Sequence, residues 1–190
     1  MKPTAFIDRD GTINIDGGYI NNPDNFEIYP FAAQALRMLN TADWSVVIVT
    51  NQSGIGRGFY TTEIMNAIHA KMYGYFAAQG VKIDGLYYCP HDPNSKIEEY
   101  RKDCNCRKPK TGMFEQAIRE LSADTKNMVV VGDKYGDMEA GFKIGAKTIL
   151  VNTGYGRGEF EQKSHLWRQL PDHRAENLLE AVRIIIDYKN

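Results

Sequence analysis

Two aspartates one residue apart, Asp8 and Asp10, close the apolar run Phe6-Ile7 and are followed by Gly11-Thr12. Residues i and i+2 of an extended backbone project to the same side, so both carboxylates leave the end of a short strand facing one point in space. Two carboxylates aimed together repel. A divalent cation between them relieves the repulsion, as does a proton retained by one of them, and both outcomes suit hydrolytic chemistry. Aspartates that merely cap a turn would use the same residues without chemistry. Further polar groups weigh on the choice. Thr50 closes the run Val46 to Val49, Lys108 lies in Cys106-Arg107-Lys108-Pro109 ahead of a helical pattern, and Gly132-Asp133-Lys134 follows the run Met128 to Val131. Each alone has an ordinary reading, as a β-branched strand residue, a solvated charge and a turn former; in this order on one chain they favour a site.

The elements that must position these groups alternate. Strands are expected at Thr4 to Ile7, Val46 to Thr50, Gly85 to Tyr88, Met128 to Val131 and Lys147 to Val151. Helices are expected from about Phe31 to Ala42, Thr62 to Gln79 with Thr61 or Thr62 as N-cap, Gly112 to Leu121, Gly136 to Ile144, and Ala175 to Tyr188. Asn14 to Pro30 reads as a loop. Such alternation implies right-handed crossovers, a doubly wound parallel sheet and helices on both faces, an α/β fold. Ligands in these folds sit beyond the carboxyl ends of the strands, where each polar candidate falls.

The chain has 190 residues, 43% of them hydrophobic, which is enough for one domain over residues 1–190 with its own core. A formal net charge of -1 gives no broad positive field, so neither nucleic acid nor an anionic membrane is an expected partner. No apolar run approaches the roughly 20 residues that span a bilayer, and Met1-Lys2-Pro3 leads straight into a strand. A cytoplasmic monomer is the expectation.

All three cysteines fall in one polar excursion, residues 89–107, as Cys89-Pro90-His91 and Cys104-Asn105-Cys106. A Cys₃His set suits closed tetrahedral zinc, although the one-residue gaps are tighter than common finger spacings. A disulfide, or three unrelated thiols, would use the same residues. With four side chains committed and no water position left, such a zinc would be structural. It would fix Arg107 and Lys108, which follow Cys106 directly. Lys96 to Lys102 reads as a solvated charge run. His69 reads as a surface or satisfied histidine, Tyr87 and Tyr88 as pocket lining or strand packing, and Gly54 to Gly58 as a turn beside a phosphate.

The set Asp8-x-Asp10-Gly11-Thr12, Thr50-Asn51, Lys108-Pro109 and Gly132-Asp133-Lys134-x-x-Asp137 resembles the four motifs of the haloacid dehalogenase superfamily of phosphotransferases, over about Thr4 to Val151. The resemblance implies a Rossmann-like fold, here with a zinc loop and no large cap domain. It makes Asp8 the nucleophile that forms an aspartyl-phosphate and Asp10 the acid and base, with a pKa high enough to hold a proton near neutrality. Mg²⁺ would bind Asp8, the Asp10 backbone carbonyl and Asp133. Asp137 would contact that site or cap the next helix, while Thr50 and Lys108 would stabilise transferring oxygens.

With the zinc loop, the resemblance narrows to the D-glycero-D-manno-heptose 1,7-bisphosphate 7-phosphatases and the histidinol-phosphate phosphatases. The first is the closer match, through residues 8–14, Gly18-Tyr19, Val49 to Ile55 with Arg57, Tyr87 to His91, Cys104 to Pro109 and Gly132 to Lys134. It implies removal of the 7-phosphate during nucleotide-activated heptose synthesis. It places Asp16, Gly17, Gly18, Tyr19, Asn51, Gln52, Ser53, Arg107 and Lys134 on the phosphorylated sugar, with Arg107 on the retained phosphate. A phosphatase acting on histidinol phosphate or another small phosphomonoester is the alternative; an inactive zinc-stabilised binding module is a third. Residues beyond Thr153 match no motif and are assigned no role.

Overall fold

The computed structural model describes residues 1–187. Its centre is β1 (Thr4–Ile7), every residue of which is buried. In chain order there follow α1 (Ala32–Thr41), β2 (Ser45–Asn51), α2 (Thr62–Ala78), β3 (Gly85–Cys89), α3 (Gly112–Leu121), β4 (Met128–Gly132), α4 (Tyr135–Lys143), β5 (Lys147–Val151), α5 (Gly156–Lys163), β6 (His173–Ala175) and α6 (Leu178–Asp187). The strands pair in parallel in the order β3-β2-β1-β4-β5-β6, the expected doubly wound α/β sheet.

A parallel sheet covered on both faces buries alternate residues against different helices. Ala5, Ile7, Val46, Ile48, Val129 and Val131 join a core with α1, α2 and α6. Phe6, Val47, Val49 and Val130 face Met113, Phe114 and Ala117 of α3 and Ala140 of α4. Helices form where this demand meets an apolar stripe and a start signal. In α2, Thr61 accepts the N–H of Ile64 as N-cap, and Ile68, Met72 and Phe76 at i, i+4 and i+8 are buried.

The expected strands and helices recur within a few residues, but the tail differs. Ala175, expected to open the last helix, is the final residue of β6, and α6 begins at Leu178; Tyr188 lies outside the described residues. β6 has no apolar run to announce it: His173-Arg174-Ala175 is a short, polar edge strand, as sheet edges commonly are. Asp172 holds its start. The Thr148 N–H and hydroxyl each donate to Asp172 Oδ2 at 2.9 Å, and the Asp172 N–H returns a bond to Thr148 Oγ1 at 3.0 Å. Asp172→Ala is therefore expected to lower unfolding free energy by about 2 kcal/mol while leaving kcat/KM unchanged; chemical denaturation and steady-state kinetics on one preparation check both.

Candidate active site

β1 lies between β2 and β4, so the carboxyl ends of these three strands converge: Ile7 is level with Ile48 and with Val131. Asp8 leaves β1, Thr50 closes β2, and Asp133 follows β4 at one rim. Lys108 arrives from the loop after β3, and all four are buried. Its ammonium reaches Asp8 Oδ1 at 2.7 Å, Asp137 Oδ1 at 2.6 Å and the Val49 carbonyl at 2.7 Å. Asn51 carries that lysine by a two-way clasp: its amide donates to the Lys108 carbonyl at 3.1 Å and its Oδ1 accepts the Lys108 N–H at 3.0 Å.

Three carboxylates crowd this ammonium. Candidate ligand atoms of Asp8, Asp133 and Asp137 lie within 4.8 Å of one another. Burial raises the Asp8 carboxyl to about 6, Lys108 opposing and Asp137 adding to the rise. Burial and then Asp8 push Asp133 well above the usual carboxylate range. Burial alone would lower Lys108, but Asp137 and Asp8 outweigh it and the net shift is upward. The two oxygens of Asp137 are spent on Lys108 and on the Lys134 N–H, so this residue both touches the site and caps α4. Asp133 instead has one oxygen to spare: Oδ2 accepts the Tyr155 N–H at 2.9 Å, whereas Oδ1 is buried without a hydrogen-bond partner. Gly11, at φ +82, lets the turn after Asp10 pass so close that a Cβ there would lie 2.2 Å from Asp133 Oδ2. A hard divalent cation such as Mg²⁺ fits this oxygen-rich, partner-poor corner.

Asp10 departs from expectation. Burial would raise its pKa, but the buried Arg9 guanidinium overrides that and holds the carboxyl below its ordinary value. Arg9 NH2 bonds both carboxylate oxygens, at 2.8 and 2.7 Å, with Asn14 and Gln52 amides at 3.0 and 2.8 Å. The resting Asp10 is an ionised carboxylate whose oxygens are occupied by these donors, and it is not part of the cluster of Asp8, Asp133 and Asp137, so its backbone carbonyl is the group it would offer a metal. His69 is not on the surface: it is buried against Arg9, the satisfied alternative.

The zinc candidates converge. Cys89, Cys104 and Cys106 are free thiols with sulfurs 3.0, 3.0 and 3.4 Å apart, and His91 Nδ1 lies 3.2 Å from Cys106 Sγ and 3.7 Å from Cys89 Sγ. Four soft or borderline donors at the corners of a small tetrahedron, with no disulfide, fit zinc, whose bonds of about 2.3 Å to sulfur give edges near 3.8 Å. Lys96 to Lys102 is an exposed run apart from half-buried Tyr100. Gly56 matters for packing, since a Cβ there would lie 2.8 Å from the Pro90 carbonyl. Tyr87 and Tyr88 take the strand-packing role; Tyr87 bonds Glu120 at 2.7 Å and neither lines the cavity.

A cavity of about 530 Å³ opens above Asp8. Of the residues expected on substrate, Asp16, Gly18, Tyr19, Asn51, Gln52, Ser53, Arg107 and Lys134 line it, and exposed Gly17 sits between two of them without doing so. Asp16 pairs with Lys134 at 3.1 Å. Arg57 joins Asp92 of the zinc loop to the Tyr19 hydroxyl. Sequence reasoning missed Arg9, Tyr60, Tyr155 and Glu159 in the walls. The last two follow β5, so the strand-end rule pointed there even though no motif did.

The HAD-hydrolase-like family model matches residues 105–181. The chain is 46% identical over 191 residues to the D-glycero-beta-D-manno-heptose-1,7-bisphosphate 7-phosphatase of Haemophilus influenzae, covering 97% of each. It is 44% identical over 154 residues to that of Escherichia coli K12, covering 80% of each. The chain belongs to the heptose-1,7-bisphosphate 7-phosphatase family. Among solved structures it is similar to the D,D-heptose 1,7-bisphosphate phosphatase of B. bronchiseptica complexed with magnesium and phosphate, with a TM-score of 0.86, 35% identity and 99% of each chain covered. The fold is that of the haloacid dehalogenase phosphatases, with no large cap domain among the described residues. No described helix is long and apolar enough to cross a membrane.

The carboxylate cluster sets a pH test. Asp8 is raised to about 6 from a usual value of about 3.9, so the metal-free folded state binds protons that the unfolded chain has released. Stability then falls as pH rises through that window. Mg²⁺ competes with those protons, so its gain in Tm is expected to be small at pH 5 and large at pH 7.5. Equal gains at both would exclude this cluster as its site.

Proposed function

We propose that this chain is a Mg²⁺-dependent phosphatase that removes the 7-phosphate of D-glycero-D-manno-heptose 1,7-bisphosphate through an aspartyl-phosphate on Asp8. The observation that carries it is the buried Asp8 held 2.7 Å from Lys108 beside the unpartnered Asp133 Oδ1, at the floor of a cavity sized for a phosphorylated sugar. A carboxylate approaching a phosphate monoester works against Coulomb repulsion, and cations beside the nucleophile relieve it. Mg²⁺ held by Asp8, Asp133 and the Asp10 carbonyl would neutralise charge on the phosphoryl oxygens. Lys108 and Thr50 add donors to them.

Asp8 attacks phosphorus, the ester P–O bond breaks, and the leaving oxygen takes its proton from Asp10. The resting Asp10 is ionised, so this proton reaches it with the monoanionic ester or from solvent. Once deprotonated again, Asp10 is the base for the water that hydrolyses the aspartyl-phosphate. Cys89, His91, Cys104 and Cys106 would hold a structural zinc, which would fix the loop delivering Arg107 and Lys108.

Substrate choice rests on Arg107. Arg9, Arg57, Lys108 and Lys134 each have a carboxylate partner. Arg107 is the cavity cation without one among the described residues, and its NH1 donates only weakly to the His91 carbonyl at 3.3 Å. A guanidinium with spare donors suits the second, unreacting phosphate. Asp16, Gly18, Tyr19, Asn51 to Ser53 and Lys134 surround the sugar between the two phosphates. The β anomer, named for the relatives, is the form proposed for the substrate.

Asp8→Asn is expected to abolish turnover with the fold intact, because the amide is isosteric but a poor nucleophile. Circular dichroism and phosphate release test it; multiple turnover after deamidation is excluded would defeat the assignment. Arg107→Ala should cost on the order of 2–4 kcal/mol in kcat/KM with the bisphosphate and much less with heptose 7-phosphate. Equal losses would place Arg107 on the reacting phosphate, and a preference for histidinol phosphate would overturn the substrate.

A further inference from the structure

At the cavity wall, Arg9 ties Asp10 to helix α2. One edge of its guanidinium meets Asp10, with Nε donating to Oδ1 at 3.1 Å and NH2 to both oxygens at 2.8 and 2.7 Å; NH2 also donates to Gln52 Oε1 at 3.2 Å. The other edge meets His69, whose Nε2 lies 3.0 Å from Arg9 NH1. Phe26 covers the guanidinium, its ring centroid 5.6 Å from the central carbon. Arginine offers donors and no lone pair, so Nε2 must be the unprotonated acceptor of a neutral imidazole that carries its proton on Nδ1. Burial, and then Arg9 itself, push the His69 pKa down to about 4, so the ring is neutral at ordinary pH. His69 is 6% exposed, on α2 between core residues Ile68 and Met72, with its ring tilted against Tyr88 at 5.9 Å.

We propose that His69 is a positioning residue for phosphoryl transfer: through Arg9 it fixes where the Asp10 carboxyl points. The inference rests on the reading of Asp8 as nucleophile and Asp10 as proton carrier. A guanidinium is a rigid plane, so its two edges cannot move independently. Without the His69 acceptor, a buried cationic N–H loses its partner and the plane must shift or tilt to find another. Asp10, bonded to the opposite edge, moves with it. The step most exposed to that displacement is the one in which the P–O ester bond breaks and the Asp10 proton passes to the departing oxygen. A sugar alkoxide needs that proton to leave; p-nitrophenolate leaves without it.

The test compares kcat/KM, which reports only up to the first irreversible step, for heptose 1,7-bisphosphate and p-nitrophenyl phosphate. In His69→Leu the ratio of sugar to aryl kcat/KM is expected to fall at least tenfold, and in His69→Gln, whose side-chain carbonyl accepts a hydrogen bond, most of it should return. Both substrates are assayed on one preparation, so the folded fraction cancels. An unchanged ratio, or a Gln variant no better than Leu, would overturn the proposal. Should His69→Leu yield no soluble protein, ¹⁵N NMR of the wild type decides: an unprotonated Nε2 supports the contact, a protonated one overturns it. Asp8→Asn serves as the control. Aryl turnover surviving in it would sink the reading of the nucleophile, whereas its loss leaves the His69 result to stand by itself.

Discussion

Everything in this molecule is arranged around one buried ammonium, that of Lys108, and the carboxylates that outnumber it. Asp8 and Asp137 accept its hydrogen bonds directly, and Asp133 stands beside them with an oxygen unpartnered. Such a cluster is costly to bury, because each carboxylate loses hydration and faces like charge. The cost is met by the sheet: β1 and β4 are adjacent parallel strands, so Asp8 and Asp133 cannot move apart without breaking the ladder. That crowding of buried carboxylate oxygens is the chemistry that a hard divalent cation would answer. A cation there and a phosphate above it would complete the balance.

The walls of the cavity come from loops rather than a separate domain. The segment after β1 folds back on the core through Ile13, Ile20 and Phe26 and presents Asp16 to Tyr19. The loop after β3 carries the cysteine cluster. Arg57 spans the two, pairing with buried Asp92 next to His91 and donating to the Tyr19 hydroxyl. Ser95 bonds the Gly56 carbonyl on the same side. The cysteine-bearing loop is thereby tied to Tyr19 through Arg57, and Arg107 to it through the His91 carbonyl.

Much of this was legible in the chain. Asp8, Thr50, Lys108 and Asp133 fall at strand ends because the alternation of apolar runs fixes which residues are ends, and local pattern suffices for that. The four zinc candidates were legible from clustering and ligand type alone. β6 was not, since two polar residues and one alanine on an edge carry no apolar run; its pairing is a tertiary fact. Arg9 and His69 were not either. Nothing in sequence says that two residues sixty positions apart share a hydrogen bond, and the apolar face of α2 that carries His69 beside Met65, Met72 and Phe76 says only that the histidine is buried, not what it meets.

The amino-acid order by itself determined the alternation of elements from Thr4 to Val151, the donor types and the reaction class they suit, because those depend on residue identity and short-range spacing. Only the tertiary structure decided charge states and orientations. Asp10 read as a carboxyl in need of a raised pKa, yet the fold sets Arg9 against both its oxygens and lowers it instead. Asp133 was named in sequence as a metal ligand, but only the packing of Gly11, Gly154 and the Tyr155 amide around it leaves one of its oxygens without a partner. A pKa is set by the few ångströms of surroundings that burial creates, and those surroundings come from distant parts of the chain.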